Sequence, residues 1–131
     1  MTKQLLNEEI LIRYIVAKLK TSKDGIWIKV DGNCMTPIIY SGEFVKVVKS
    51  EKYNVGDIVL RLIDNHVYAH RIVYSKNNIY ITKGDNTFFA DCRCACTDIL
   101  GKIICKKSSD NIERKIVPKH PWGCVIGALV S

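Results

Sequence analysis

The sequence predicts a mainly β fold, a small barrel or sandwich of short strands preceded by an amphipathic helix. Three observations predict it. Between residues 26 and 105, β-branched and aromatic residues recur in short runs separated by Asn, Asp and Gly. Residues 4–20 instead carry apolar side chains at helical spacing. The chain has 131 residues, 47% hydrophobic and 25% charged, which is the size and balance of one globular domain.

The helix comes first. Leu5, Ile12, Ile15, Val16 and Leu19 fall on one face, with Glu8 and Glu9 early and Lys18 and Lys20 late, as the helix dipole favours. Such a helix covers a core, or else docks on a second copy, a partner or a membrane surface. Residues 22–25 end it. Strands are expected at 26–30, 44–48 and 57–63. Asp64-Asn65 then turns the chain into a hairpin partner at 66–74. Asn77-Asn78 makes the next turn, into a strand at 79–82, and a last strand is expected at 99–105. Residues 106–119 are polar and read as a loop, and the apolar tail 122–130 is expected to close the sheet. The organisation is thus a single domain over 1–131: helix 1–22, β core 26–105, and C-terminal loop and tail 106–131.

Composition narrows the function classes. No apolar run approaches the ~20 residues of a transmembrane helix, and the N-terminus does not read as a secretion signal, so the expected address is cytoplasmic. The six cysteines are then expected to stay reduced. The formal charge of +7 is spread along the chain without a dense basic cluster and interleaved aromatics, so nucleic acid is not an expected partner. Cys92, Cys94 and Cys96 alternate and would share one face of a strand. With Cys105 they suggest metal ligation or redox sensing, but the spacing is not that of a zinc knuckle, and small buried side chains are the expected role. No metal or cofactor is expected.

The chemistry-bearing residues sit in five short motifs: Gly32-Asn33-Cys34-Met35-Thr36-Pro37, Gly42-Glu43-Phe44-Val45, Gly56-Asp57-Ile58-Val59, Tyr68-Ala69-His70-Arg71-Ile72-Val73, and Lys83-Gly84-Asp85-Asn86 with Asp91-Cys92-Arg93 after it. In this order the set resembles the type I signal peptidase family. It is closest to the archaeal and endoplasmic-reticulum branch, which uses a histidine base. The resemblance covers roughly residues 27–105 and implies a site residue by residue. Cys34 stands before Met-x-Pro, where that family has its serine nucleophile. His70 stands where its general base lies, and Asp91 matches the aspartate that completes the site. Asp85 matches the turn's own aspartate, expected to be structural. A cysteine paired with an imidazole follows the same logic as serine with histidine. Main-chain N–H groups near Cys34 would hold the oxyanion, with Gly32 and Asn33 supporting the backbone there. His66 is a second histidine of the same hairpin strand, an even number of residues from His70, and so is expected on the same face.

The resemblance implies an endopeptidase that cuts a precursor or leader peptide after small residues, the substrate lying extended along a strand edge near Cys34. Two alternatives stay open: a non-catalytic peptide-binding module on the same fold, and the related self-cleaving regulator domain. The latter normally uses a lysine base and carries a DNA-binding domain, for which residues 1–25 are too short.

Overall fold

The computed structural model describes residues 2–119, with side chains from Glu8 onward. One helix, α1 (Thr2–Thr21), leads into eight strands: β1 (Ile26–Lys29), β2 (Phe44–Val48), β3 (Ile58–Ile63), β4 (His66–Lys76), β5 (Ile79–Lys83), β6 (Cys94–Ala95), β7 (Ile99–Lys107) and β8 (Glu113–Lys115). They form one antiparallel sheet in the order β1-β2-β7-β3-β4-β5-β6, with β8 added to β7. Register breaks at Lys46/Val47, Leu60/Arg61 and Ile72/Tyr74 mark bulges, which add bend and twist. The sheet curls into a half-barrel, so the fold is mainly β with one N-terminal helix, as the sequence predicts.

The turns follow from the residues placed in them. Asp64 and Asn65, at φ 49° and 64°, join β3 to β4; Asn77 and Asn78, at φ 51° and 63°, join β4 to β5. Two consecutive positive-φ residues make the tight turn whose twist matches a hairpin, and Asn and Asp tolerate that region best among residues with a Cβ. β4 is thereby fixed in register on β3, with His70 opposite Val59 and His66 opposite Ile63.

Both faces of the central strands are covered, so alternate residues feed two cores. Ile58 and Leu60 join Ile15, Leu19, Val45, Val47 and Ile103 under the helix. Val59 joins Tyr53, Ile72, Tyr80, Cys94 and Ile99 on the other side. Helix α1 reaches the first core through Ile15 and Leu19, which are buried, with Ile12 half-buried beside them. Gly101 makes room for it: a Cβ there would stand 2.6 Å from Val47 Cγ1 and 3.3 Å from Leu19 Cδ1.

Several expectations need correction. Val16 was expected on the buried face and is exposed, because the helix meets the sheet along the narrow Ile15–Leu19 line. Since α1 begins at Thr2, no acidic residue lies in its first turn. Glu8 instead pairs with His66 Nδ1 at 2.7 Å, tying the helix to the start of β4. The stretch 106–119 is not all loop, because β8 lies within it. Cys92, Cys94 and Cys96 do not share a strand face. Only Cys94 is in β6, and it is buried; Cys92 precedes the strand and is exposed, and Cys96 opens a 3₁₀ turn. Among the described residues no three His, Cys, Asp or Glu side chains are grouped as a metal site would require. Leu5's side chain and the tail 122–130 lie outside what is described.

Candidate active site

Cys34 lies in the turn-rich segment after β1. Gly32, at φ +96°, sets the backbone there in a conformation that favours glycine, and its N–H donates to Ser41 Oγ at 3.2 Å. Its part is therefore conformational, since its own N–H is taken. The Asn33 carbonyl accepts from Thr36 N and Asn86 Nδ2, and the Cys34 carbonyl accepts from Asn86 N at 2.8 Å. Among the described residues, the main-chain N–H groups of Asn33 and Cys34 have no protein acceptor. Met35 next to them is fully buried and anchors the segment in the first core.

The turn at residues 84–87 packs directly on this segment. Its Gly84 is required by close approach: a Cβ would meet the Cys34 carbonyl oxygen at 2.7 Å and Cys34 Cβ at 3.1 Å. Asp85 accepts two hydrogen bonds from the buried Arg71, Nε to Oδ1 at 2.9 Å and Nη2 to Oδ2 at 2.7 Å. Arg71 also donates to the carbonyls of Gly56 and Lys119. Asp85 thus joins the turn to β4 by a bidentate pair.

His70, on β4, is 5% exposed, and its Nδ1 donates to Asp91 Oδ2 at 2.6 Å. That bond leaves Nε2 as the nitrogen available to Cys34. The Cys34 thiol donates to the Ala69 carbonyl at 3.5 Å, next to His70 in the chain. Burial opposes protonation of His70, but the hydrogen bonds with Asp91 and then Cys34 outweigh it and push the imidazole up to about 9. Burial likewise raises Asp91, and hydrogen bonds from His70 and Thr82, with the charges of His70 and Arg61, override it and hold the carboxyl below its ordinary value. His66 lies on the same face of β4 as His70, as its even spacing predicts, with the Tyr68 ring between them at 6.4 and 5.4 Å. It is more exposed and engaged with Glu8.

Sequence reasoning missed the residues behind Asp91. Thr82 donates its hydroxyl to Asp91 Oδ2 at 2.7 Å and accepts from Arg61 Nη1 at 2.9 Å. The Asp91 N–H donates to the Thr82 carbonyl at 2.8 Å. A signal for Arg61 was present, a cation inside an otherwise apolar strand, but its partner lies 21 residues away.

A cleft of ≈ 240 Å³ opens at Cys34, walled by Leu11 and Ile15 of α1, Ile28 of β1, Leu60 of β3 and Ala69 of β4. Strand β1 ends the sheet, so one of its edges has no strand partner among the described residues.

The chain matches the Peptidase S24-like family over residues 2–104, most of its length, and belongs to that family. This is a broader assignment than the histidine-base signal-peptidase branch that the motifs resemble. A comparison with curated proteins returns no match. No helix among the described residues is long and apolar enough to cross a membrane.

Proposed function

We propose that the chain is an endopeptidase in which Cys34 is the nucleophile, His70 its proton partner and Asp91 the residue that orients the imidazole. The observation that carries this reading is the His70–Asp91 hydrogen bond beside Cys34, whose thiol donates to the carbonyl of Ala69, the residue before His70, in a cleft beside an edge strand.

The chemistry follows from the protonation states. An imidazole held up to about 9 already carries its proton at neutral pH and is a poor base for the thiol. The working nucleophile is then the thiolate of a thiolate–imidazolium pair, as in other cysteine–histidine enzymes. The thiolate attacks the scissile carbonyl, and the Cys34 and Asn33 N–H groups are the main-chain donors for the oxyanion. His70 gives its proton to the leaving amine, then takes one from the water that releases the acyl group. Asp91 keeps Nδ1 protonated throughout and stabilises the cation.

The substrate in this reading is a precursor or leader peptide, extended along β1 as an added strand. Small side chains before the cut are what the signal-peptidase resemblance implies, and the histidine-base branch remains the closest in motif. Incubating the chain and its Cys34→Ala variant with peptides bearing small residues tests the reading by mass spectrometry. Cleavage by the parent alone supports it; equal cleavage by both shows that Cys34 is not the nucleophile, and cleavage by neither favours the peptide-binding alternative on this fold.

A further inference from the structure

Arg61 is 2% exposed, and no carboxylate lies within 4.0 Å of it among the described residues. A buried cation normally has an anionic partner. Its Nη1 donates to Thr82 Oγ1, its Nη2 reaches Cys92 Sγ at 3.2 Å, and its Nε has no hydrogen-bond partner. Cys92 is itself exposed. The sulfur of an exposed residue thus lies, part-buried, against a buried, under-satisfied guanidinium, which supplies the electropositive, partly open setting of a site-selective thiol.

We propose that Cys92 is an oxidation site for hydroperoxides, coupled through Arg61 and Thr82 to the Asp91 carboxylate. In the step, the Cys92 sulfur gives up its proton to solvent and attacks one oxygen of hydrogen peroxide. The S–O bond forms and the O–O bond breaks. Sulfur is oxidised by two electrons to the sulfenic acid, and the peroxide is reduced to water as its leaving oxygen takes up the proton. The new oxygen is a stronger acceptor than sulfur, and Arg61 has an unused N–H to give it. Cys94, buried, and Cys105, away from this cation, lack the same combination.

The consequence runs along the relay. Arg61 holds Thr82 Oγ1, and Thr82 holds Asp91 Oδ2. Ionised to the sulfenate by loss of its proton to solvent, the new oxygen at position 92 draws the guanidinium's charge away from Asp91. The carboxylate then binds the His70 proton more tightly, and an imidazolium that gives up its proton less readily is a poorer acid. This last, functional link rests on the peptidase reading above; the oxidation site and the relay do not.

The experiment is therefore arranged to be independent of cleavage. The Cys34→Ala chain is treated briefly with hydrogen peroxide and a sulfenic-acid-trapping dione, digested, and each cysteine's label counted. Cys92 should carry about five times or more the label of Cys105. Arg61→Lys should keep part of that excess and Arg61→Met should abolish it, with circular dichroism confirming that each folds. Label on Cys92 no greater than on Cys105 overturns the site, and so does an excess that Arg61→Met leaves unchanged. For the relay, the His70 titration is followed by NMR in Cys92→Ser and Cys92→Asp, each with and without Thr82→Val. The Asp variant should titrate higher than the Ser variant, and Thr82→Val should remove at least half of the difference. An unchanged difference in the Thr82→Val background overturns the coupling. Loss of peptide cleavage in the parent chain would count against the peptidase reading alone.

Discussion

Gly84 lies so close to Cys34 that a β-carbon on it would stand 2.7 Å from the Cys34 carbonyl oxygen. The contact joins two motifs 50 residues apart in sequence, and Asn86 reinforces it by donating from its backbone to the same carbonyl. The expected outcome of Gly84→Ala is a chain that still folds, with displaced Cys34 and activity reduced about 100-fold or more, because misplacement by an ångström costs that much. Activity against a peptide substrate, compared with thermal melting, checks this: a fall in melting temperature alone, with cleavage intact, would show that the contact serves packing only.

The two aspartates of the last motif should part company on mutation. Asp91→Asn replaces the carboxylate with a neutral amide that can turn an N–H toward His70 Nδ1 and favour the wrong tautomer, so cleavage should fall by about 10⁴ with little change in the fold. Asp85→Asn breaks a bidentate pair and leaves Arg71, 4% exposed, without its counter-ion. Removing one partner of a buried pair costs about 3–5 kcal/mol, which the one-quarter exposure of Asp85 reduces, so a loss of about 2 kcal/mol is expected. Denaturant melts and cleavage assays on both variants give the comparison.

Ile15 is fully buried on α1 against the sheet. Ile15→Ala should cost about 3 kcal/mol, whereas Val16→Ala on the exposed side should cost less than about 0.5 kcal/mol. Equal losses in urea melts would mean that the helix does not pack along the Ile15–Leu19 line.

The sign of the pH dependence follows from the two shifted groups. His70 is raised from 6.5 to about 9, so its pairing contributes stability that is fully present below pH 6.5 and is lost as pH rises through about 9. Asp91 is held below 3.8, so its contribution is present above that value and is lost as pH falls through its lowered one. The parent chain should therefore melt at a higher temperature than His70→Gln near pH 6, and the difference should close above pH 9. A difference that is constant across this range contradicts the shift.

The strands from residue 44 to 105 were legible because their residues alternate and their turns are built from Asn, Asp and Gly. β6 and β8 were not, since two or three residues carry no measurable period. Alternation also misleads at β3: with both faces covered, Arg61 takes a place that the pattern reserves for an apolar side chain. In the candidate site, motif order singled out Cys34, His70 and Asp91, and His70 and Asp91 are hydrogen-bonded. The Arg61–Thr82–Asp91 line could not, because it depends on which strands become neighbours and on how a side chain crosses between them. The helix stripe was half legible: spacing marks a face, but the shape of the sheet beneath decides how much of that face is covered.

In the proposed mechanism Cys34 works as the anion of a pair with the His70 cation. The most direct test is the rate of alkylation of each cysteine by a brief pulse of iodoacetamide at pH 6, 7 and 8, read by peptide mass spectrometry. At pH 6 a free thiol of ordinary value ~8.5 is almost wholly protonated and reacts slowly. Cys34 should be modified ahead of the other cysteines at all three pH values, its rate should change little between pH 6 and 8, and His70→Ala should remove this advantage. A Cys34 rate that climbs about tenfold per pH unit, as a free thiol's does, and is the same in His70→Ala would contradict that mechanism.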